Sequence, residues 1–220
     1  MWTSFTTPQL TPTGQRSQLG NNPAAWWRTI CTTADRLSLS GDLHPDDDRA
    51  IHQLNNWRDH GITHVIDCRA EYNESERMAR LAPDLHYTWV GTDDHLGKQD
   101  DYWFDAGVRA AFTALSDPKA HVLIHCHMGV NRGPSMGFAI MIAAGIEPID
   151  ALEAIRGSRP IAGIIYADQA IDWWTRSIGE HPSLAEIERE RVTRWLDEHQ
   201  LDAGWIISRI RIDARRKDNY

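Results

Sequence analysis

Cysteine is scarce in this chain. There are three in 220 residues, Cys31, Cys68 and Cys126, an odd number without paired spacing. That argues against a disulfide framework and for reduced thiols in an intracellular, cytoplasmic protein. Long hydrophobic runs are also missing: the longest, Phe138 to Ile146, is nine residues with Gly145 inside it, too short to span a bilayer. The first 25 residues are rich in Thr, Pro, Gly and Asn and lack the apolar segment of a secretory leader. Positive charge is not in excess. A formal net charge of −8 disfavours a general nucleic-acid-binding role, because phosphate backbones demand a basic face. No internal repeats are evident, and 220 residues allow one domain of ordinary size with extensions.

What the sequence does contain is the stretch 121–144, HVLIHCHMGVNRGPSMGFAIMIAA. Val122, Leu123 and Ile124 form the continuous apolar run of a strand covered on both faces, and Phe138 to Ile142 belong to a largely apolar helix. Between them, His125-Cys126-His127-Met128-Gly129-Val130-Asn131-Arg132 reads as an anion cradle with a thiolate at its floor. Backbone N–H groups at a helix N-terminus, curled into a nest, attract a phosphate and stabilise a nearby thiolate. Gly129 permits the tight backbone path. Arg132, six residues after Cys126, is placed to fold back and offer a planar fork to two phosphate oxygens. A Cys with an Arg six positions on is a weak signal by itself. The preceding His, the Gly, the strand before and the helix after make the pattern specific.

The sequence HCHMGVNRGPS resembles the His-Cys-x5-Arg signature of the cysteine-based protein tyrosine phosphatases, particularly their compact dual-specificity branch. The similarity runs from about Leu37 to Trp174. It implies a three-layer α/β fold with a largely parallel central sheet, and a phosphate-binding loop formed by His127, Met128, Gly129, Val130, Asn131 and Arg132. Cys126 is the implied nucleophile, and the family's general acid lies on the loop between a strand and the next helix, where Asp93 and Asp94 both stand. Ungapped counting favours Asp94, with Asp93 close behind. One position departs from the family: the residue after the arginine, usually Ser or Thr, is Gly133. That hydroxyl is understood to help the thiolate leave a phosphocysteine, so the second chemical step is left open, with Ser135 as the nearest remaining hydroxyl. The stretch Arg156-Gly157-Ser158-Arg159-Pro160 is similar to one that the family places beside its site. It makes Arg159 a candidate brace or substrate contact, with a surface ion pair as the competing reading.

Taken in order, residues 1–25 read as a flexible N-terminal arm that Trp26 and Trp27 anchor, 26–180 as the phosphatase domain, and 181–220 as a C-terminal helix with a solvated basic tail from Arg209. Short strands are expected over Thr29–Thr33 and Leu37–Leu39. The run Asp46-Asp47-Asp48 is a helix N-terminus rather than a metal site, since Ala50, Ile51, Leu54 and Trp57 follow at helical spacing. Ile62 to Asp67 is a strand of the parallel kind, and Cys68 stands at its end. Strand ends in open α/β sheets face the ligand crevice, so Cys68 is a candidate redox partner for Cys126, with a buried structural thiol as the alternative. The charges of 71–82, Glu71 among them, need no functional reading. Strand 86–90, helices 101–116, 149–156 and 166–178, and a capping box at Ser183 complete the pattern.

Two displacements at phosphorus follow. Cys126 attacks, Asp94 protonates the departing oxygen, Arg132 and the loop N–H groups stabilise the equatorial oxygens, and water hydrolyses the phosphocysteine. His125 orients the cysteine from beneath. No cofactor is expected, and His125-Cys126-His127 is too tight to place all three on one metal ion. The expected substrate is a phosphorylated protein or small phosphoester. The alternatives are an RNA 5′-phosphatase or triphosphatase of the same fold, which Asn131-Arg132 also resembles, and a module that captures phosphorylated ligands without turnover.

Overall fold

The computed structural model of the chain describes residues 7–14 and 22–217. Five strands form one sheet: β1 (Cys31–Ala34), β2 (Leu37–Ser40), β3 (His64–Arg69), β4 (His86–Thr92) and β5 (Val122–His125), in the order β1-β2-β5-β3-β4. Among the pairs of these five strands, β1–β2 is antiparallel and the others are parallel. β5 lies between β2 and β3 and is parallel to both. Its side chains alternate between the faces: Val122 and Ile124 join one apolar cluster, and Leu123 joins another. This burial on both faces explains why the strand reads as an unbroken apolar run.

Helices α2 (Asp47–Asp59) and α3 (Ser75–Leu81) cover the Leu123 face with Leu54, Trp57 and Met78. Helices α4 (Asp101–Leu115), α5 (Arg132–Ala143), α6 (Pro148–Ser158) and α7 (Ala167–Ile178) cover the other face, and α8 (Pro182–Glu198) adds Val192 and Trp195 to the same cluster. The acidic run behaves as a helix start, with Asp46 Oδ1 accepting the Arg49 N–H at 3.0 Å. Among the described residues no helix is long and apolar enough to cross a membrane.

The described residues near both ends of the chain depart from expectation. Residues 7–14 lie along the sheet edge rather than draping loosely: Leu10 is buried, Pro12 bridges Ala34, and Thr13 N donates to Thr33 O at 3.0 Å. Residues 1–6 and 15–21 of the expected arm fall outside the described residues, and Asn22 caps the short α1 (Pro23–Trp26). The expected basic tail is helical as far as Lys217, within α9 (Ala203–Lys217). The reason lies in two apolar residues one turn apart, Ile206 and Ile210, which are buried in a third cluster with Trp26, Met128, Val130 and Ile161. Exposed Arg209 and Arg211 hid that stripe.

Candidate active site

Residues 126–131 connect β5 to the first turn of α5, and their backbone orientation is set by contacts on the outside of the loop. The His127 carbonyl accepts from Trp27 Nε1 at 2.9 Å and Asp42 N at 3.0 Å. That of Met128 accepts from Arg159 Nη2 at 3.0 Å, and that of Gly129 from Arg159 Nε at 2.6 Å. The Val130 carbonyl accepts from Gly163 N at 2.6 Å. All described peptide bonds are trans, so four carbonyls turned outward turn the N–H groups of Met128, Gly129, Val130 and Asn131 inward, around buried Cys126. Gly129 has φ +63°, and a Cβ there would meet Arg159 Nη2 and Ser40 O at 2.2 and 2.6 Å. Only glycine fits. Arg159 is fully buried and also bonds Thr29 O and Trp27 O, so its guanidinium braces the loop from the side of these carbonyls.

Arg132 is 3% exposed. Its Nη1 donates to Glu71 Oε2 at 2.6 Å and Thr92 O at 2.9 Å, and its Nη2 donates to Glu71 Oε1 at 2.7 Å. Of the five N–H bonds of a guanidinium, these three contacts leave the Nε–H and one Nη2–H. Nε is buried without a hydrogen-bond partner, and Asp94 Oδ2 lies 3.4 Å from it. A buried donor left open beside inward N–H groups fits an oxyanion. The Arg132 pair also holds the Glu71 carboxyl below its usual range. Spacing and charge pattern gave no sign of Glu71, which is 61 residues from Arg132.

The loop from Asp93 to Gln99 is docked on the start of α7. Gln169 accepts from Gln99 N at 2.7 Å and donates to Gly97 O at 3.3 Å, while Gln99 Nε2 holds the Asp93 carbonyl at 3.3 Å. The two candidate acids have different surroundings. Asp94 reaches Asn131 Nδ2 at 2.7 Å, the Tyr166 hydroxyl at 3.0 Å and the neighbourhood of Arg132. Asp93 and Asp94 are both exposed, but the hydrogen bonds to Asp93 go to its carbonyl rather than its carboxyl.

Beneath the loop lies a buried charge network. Arg69 Nη2 is 2.7 Å from Asp67 Oδ2 and 2.6 Å from Glu74 Oε2, and the Tyr87 hydroxyl donates to Asp67 at 2.7 Å. Burial pushes the Asp67 carboxyl upward, but His125, Arg69 and Tyr87 outweigh it and the net shift is down. Asp67, Glu74 and His125 bring ligand-type atoms within 4.8 Å of one another. The cation between the two carboxylates is Arg69. His125 is buried with Nε2 3.8 Å from Asp67 Oδ2, and His127, on the rim, bonds Asp42 Oδ2 through Nδ1 at 2.6 Å.

Cys68 follows Asp67, which is in register with His125, so the two thiols sit on adjacent strand ends. Burial pushes the Cys68 thiol well up, and nearby Cys126 and Asp67 add to this. Cys68 is therefore a neutral thiol. A Cβ on Gly133 would lie 3.3 Å from Cys126 N, tight against the cysteine's own backbone. Ser135 is fully buried; it donates to Asn131 Oδ1 at 3.1 Å and accepts Tyr166 N at 3.2 Å.

No family model matches the chain. It is 29% identical over 118 residues to human dual specificity protein phosphatase 13B, covering 51% of this chain and 60% of that one. To mouse dual specificity protein phosphatase 26 it is 26% identical over 151 residues, covering 66% and 70%. The chain thus spans about 60% of the length of the human relative. Its fold matches the crystal structure of human tyrosine phosphatase-like serine/threonine/tyrosine-interacting protein with a TM-score of 0.54 at 16% identity, covering 69% of this chain and 99% of that one.

Proposed function

We propose that this chain, which belongs to the cysteine-based protein tyrosine phosphatase superfamily and resembles its dual-specificity branch, hydrolyses phosphate monoesters through a phosphocysteine. The proposed substrates are phosphotyrosine and, beside it, phosphoserine and phosphothreonine in cytoplasmic proteins, or small phosphoesters. One observation carries the reading: the carbonyls of residues 127–130 are all bonded outward, which turns the N–H groups of 128–131 toward the Cys126 side, and Arg132 keeps an Nε–H without a hydrogen-bond partner beside the Asp94 carboxyl.

In this reading the Cys126 thiolate attacks phosphorus in line and the ester oxygen departs with the proton of Asp94. Arg132 and the loop N–H groups stabilise the charge on the equatorial oxygens. The Asp94 carboxylate then takes a proton from water, which attacks the phosphocysteine and releases Cys126. Glu71 and Thr92 O hold the guanidinium end-on and leave its side-on fork to phosphate. The non-turnover reading has its own support, because Gly133 supplies no hydroxyl beside Cys126 and that of Ser135 is bonded to Asn131.

The test is hydrolysis of para-nitrophenyl phosphate, in chelator, by wild type, Cys126→Ser and Asp94→Asn. Sustained phosphate release that Cys126→Ser abolishes supports the enzyme. A single stoichiometric burst supports capture without turnover, and equal activity in wild type and Cys126→Ser removes the mechanism.

A further inference from the structure

The general acid is surrounded by an arrangement that the chemistry above does not use. Asp94 Oδ1 accepts two hydrogen bonds, from Asn131 Nδ2 at 2.7 Å and from the Tyr166 hydroxyl at 3.0 Å. Neither donor is ambiguous. The Asn131 side-chain oxygen already accepts Ser135 Oγ at 3.1 Å and Ile165 N at 2.8 Å, so its NH₂ end must face Asp94. The Tyr166 oxygen accepts Leu96 N at 3.3 Å, which directs its own hydrogen to Asp94. Both residues are buried, Tyr166 completely, so the geometry is enforced by the core. Oδ2, in contrast, lies toward Arg132 Nε, the open donor of the cradle.

We propose that Tyr166 and Asn131 are positioning residues that saturate Oδ1 of Asp94, so that the catalytic proton is carried on Oδ2, the oxygen facing the bound phosphate. The inference rests on the phosphatase reading and deepens it. A carboxyl oxygen with both lone pairs engaged has no place for a proton, so Oδ2 holds it. In the first step the Oδ2–H bond breaks as the leaving oxygen takes the proton. The carboxylate that results keeps both donors, so it stays oriented toward the phosphocysteine for the second step. The charged and titratable groups around this carboxyl are Arg132 on α5, Cys126 in the loop, Glu71 across Arg132, Tyr166 before α7, and Asp93 and His95 on its own loop. Tyr166 differs from the rest in being held as a neutral donor, its hydroxyl pushed up by burial and by Asp94.

Tyr166→Phe removes one hydroxyl and keeps the ring in the core. Wild type, Tyr166→Phe, Asp94→Asn and Cys126→Ser are compared on para-nitrophenyl phosphate, whose leaving group needs little protonation, and on phenyl phosphate, whose leaving group depends on it. Tyr166→Phe is expected to lower kcat for phenyl phosphate about tenfold, equivalent to about 1.4 kcal/mol of barrier, and to leave para-nitrophenyl phosphate within about twofold. Equal losses on both substrates overturn the role of Tyr166. If Asp94→Asn hydrolyses phenyl phosphate like wild type, or Cys126→Ser stays active, it is the phosphatase reading that fails.

Discussion

Glu71 grips Arg132 end-on, with Oε2 2.6 Å from Nη1 and Oε1 2.7 Å from Nη2. The arginine is buried and the carboxylate is half exposed, its side chain at 55%. A negative group here has two opposed effects: it orients the guanidinium, and it repels a phosphate dianion. The remaining open fork on Nε and Nη2 argues that orientation dominates. Glu71→Ala is therefore expected to lower kcat about tenfold, with Glu71→Gln intermediate. Steady-state kinetics with inorganic phosphate as inhibitor check this. A faster enzyme that binds phosphate more tightly would show that Glu71 is a lid over the site.

Gly133 is the second residue of α5, where alanine ordinarily gains about 0.5–1 kcal/mol over glycine. Here the added Cβ meets Cys126 N and His125 C at 3.3 Å. Overpacking against backbone costs about 1–3 kcal/mol, so it exceeds the propensity gain. Gly133→Ala is expected to melt below wild type, and Gly133→Ser, which restores a hydroxyl beside Cys126, to speed phosphocysteine hydrolysis. Thermal melts and pre-steady-state bursts report the two outcomes; a stabilised alanine variant would mean that the loop yields easily.

Cys68 and Cys126 end adjacent strands, and the Cys68 thiol is held protonated. Oxidation by peroxide is therefore expected to fall first on Cys126, giving a sulfenic acid. Attack by the Cys68 sulfur then forms the disulfide and releases water. Peptide mapping after a limited peroxide pulse should recover the Cys68–Cys126 crosslink. Recovery of over-oxidised Cys126 alone would leave Cys68 a structural thiol.

Burial, with help from stacked His86, holds His64 below its ordinary value of 6.5, and burial does the same for His121. A histidine whose folded value is depressed contributes stability that is complete above the unfolded value and is lost as the pH falls through the folded one. The melting temperature should therefore decline from about pH 6.5 downward, by about 2–4 °C for each kcal/mol lost. His64→Gln should flatten part of that slope. Melts that stay level down to about pH 5 would contradict this linkage.

The sequence by itself determined the local grammar: an apolar strand, a Cys-x5-Arg loop with its glycine, a buried helix, and an aspartate pair on the loop before α4. Those features are legible because strand and helix periods, caps and short spacings act over a few residues. Charge pattern misled where the partner was distant. Glu71 read as solvated, yet it meets Arg132 across 61 positions, and Tyr166 read only as the start of a helix, yet it meets Asp94 across 72. Sequence leaves Arg159 open between brace, substrate contact and surface pair, because the carbonyls it bonds lie up to 132 positions away. The stripe of Ile206 and Ile210 was hidden among arginines, and only its docking against Met128 and Val130 shows why α9 forms. Which polar group becomes a ligand, a brace or a surface charge depends on desolvation and on what faces it, and those are properties of the packed chain alone.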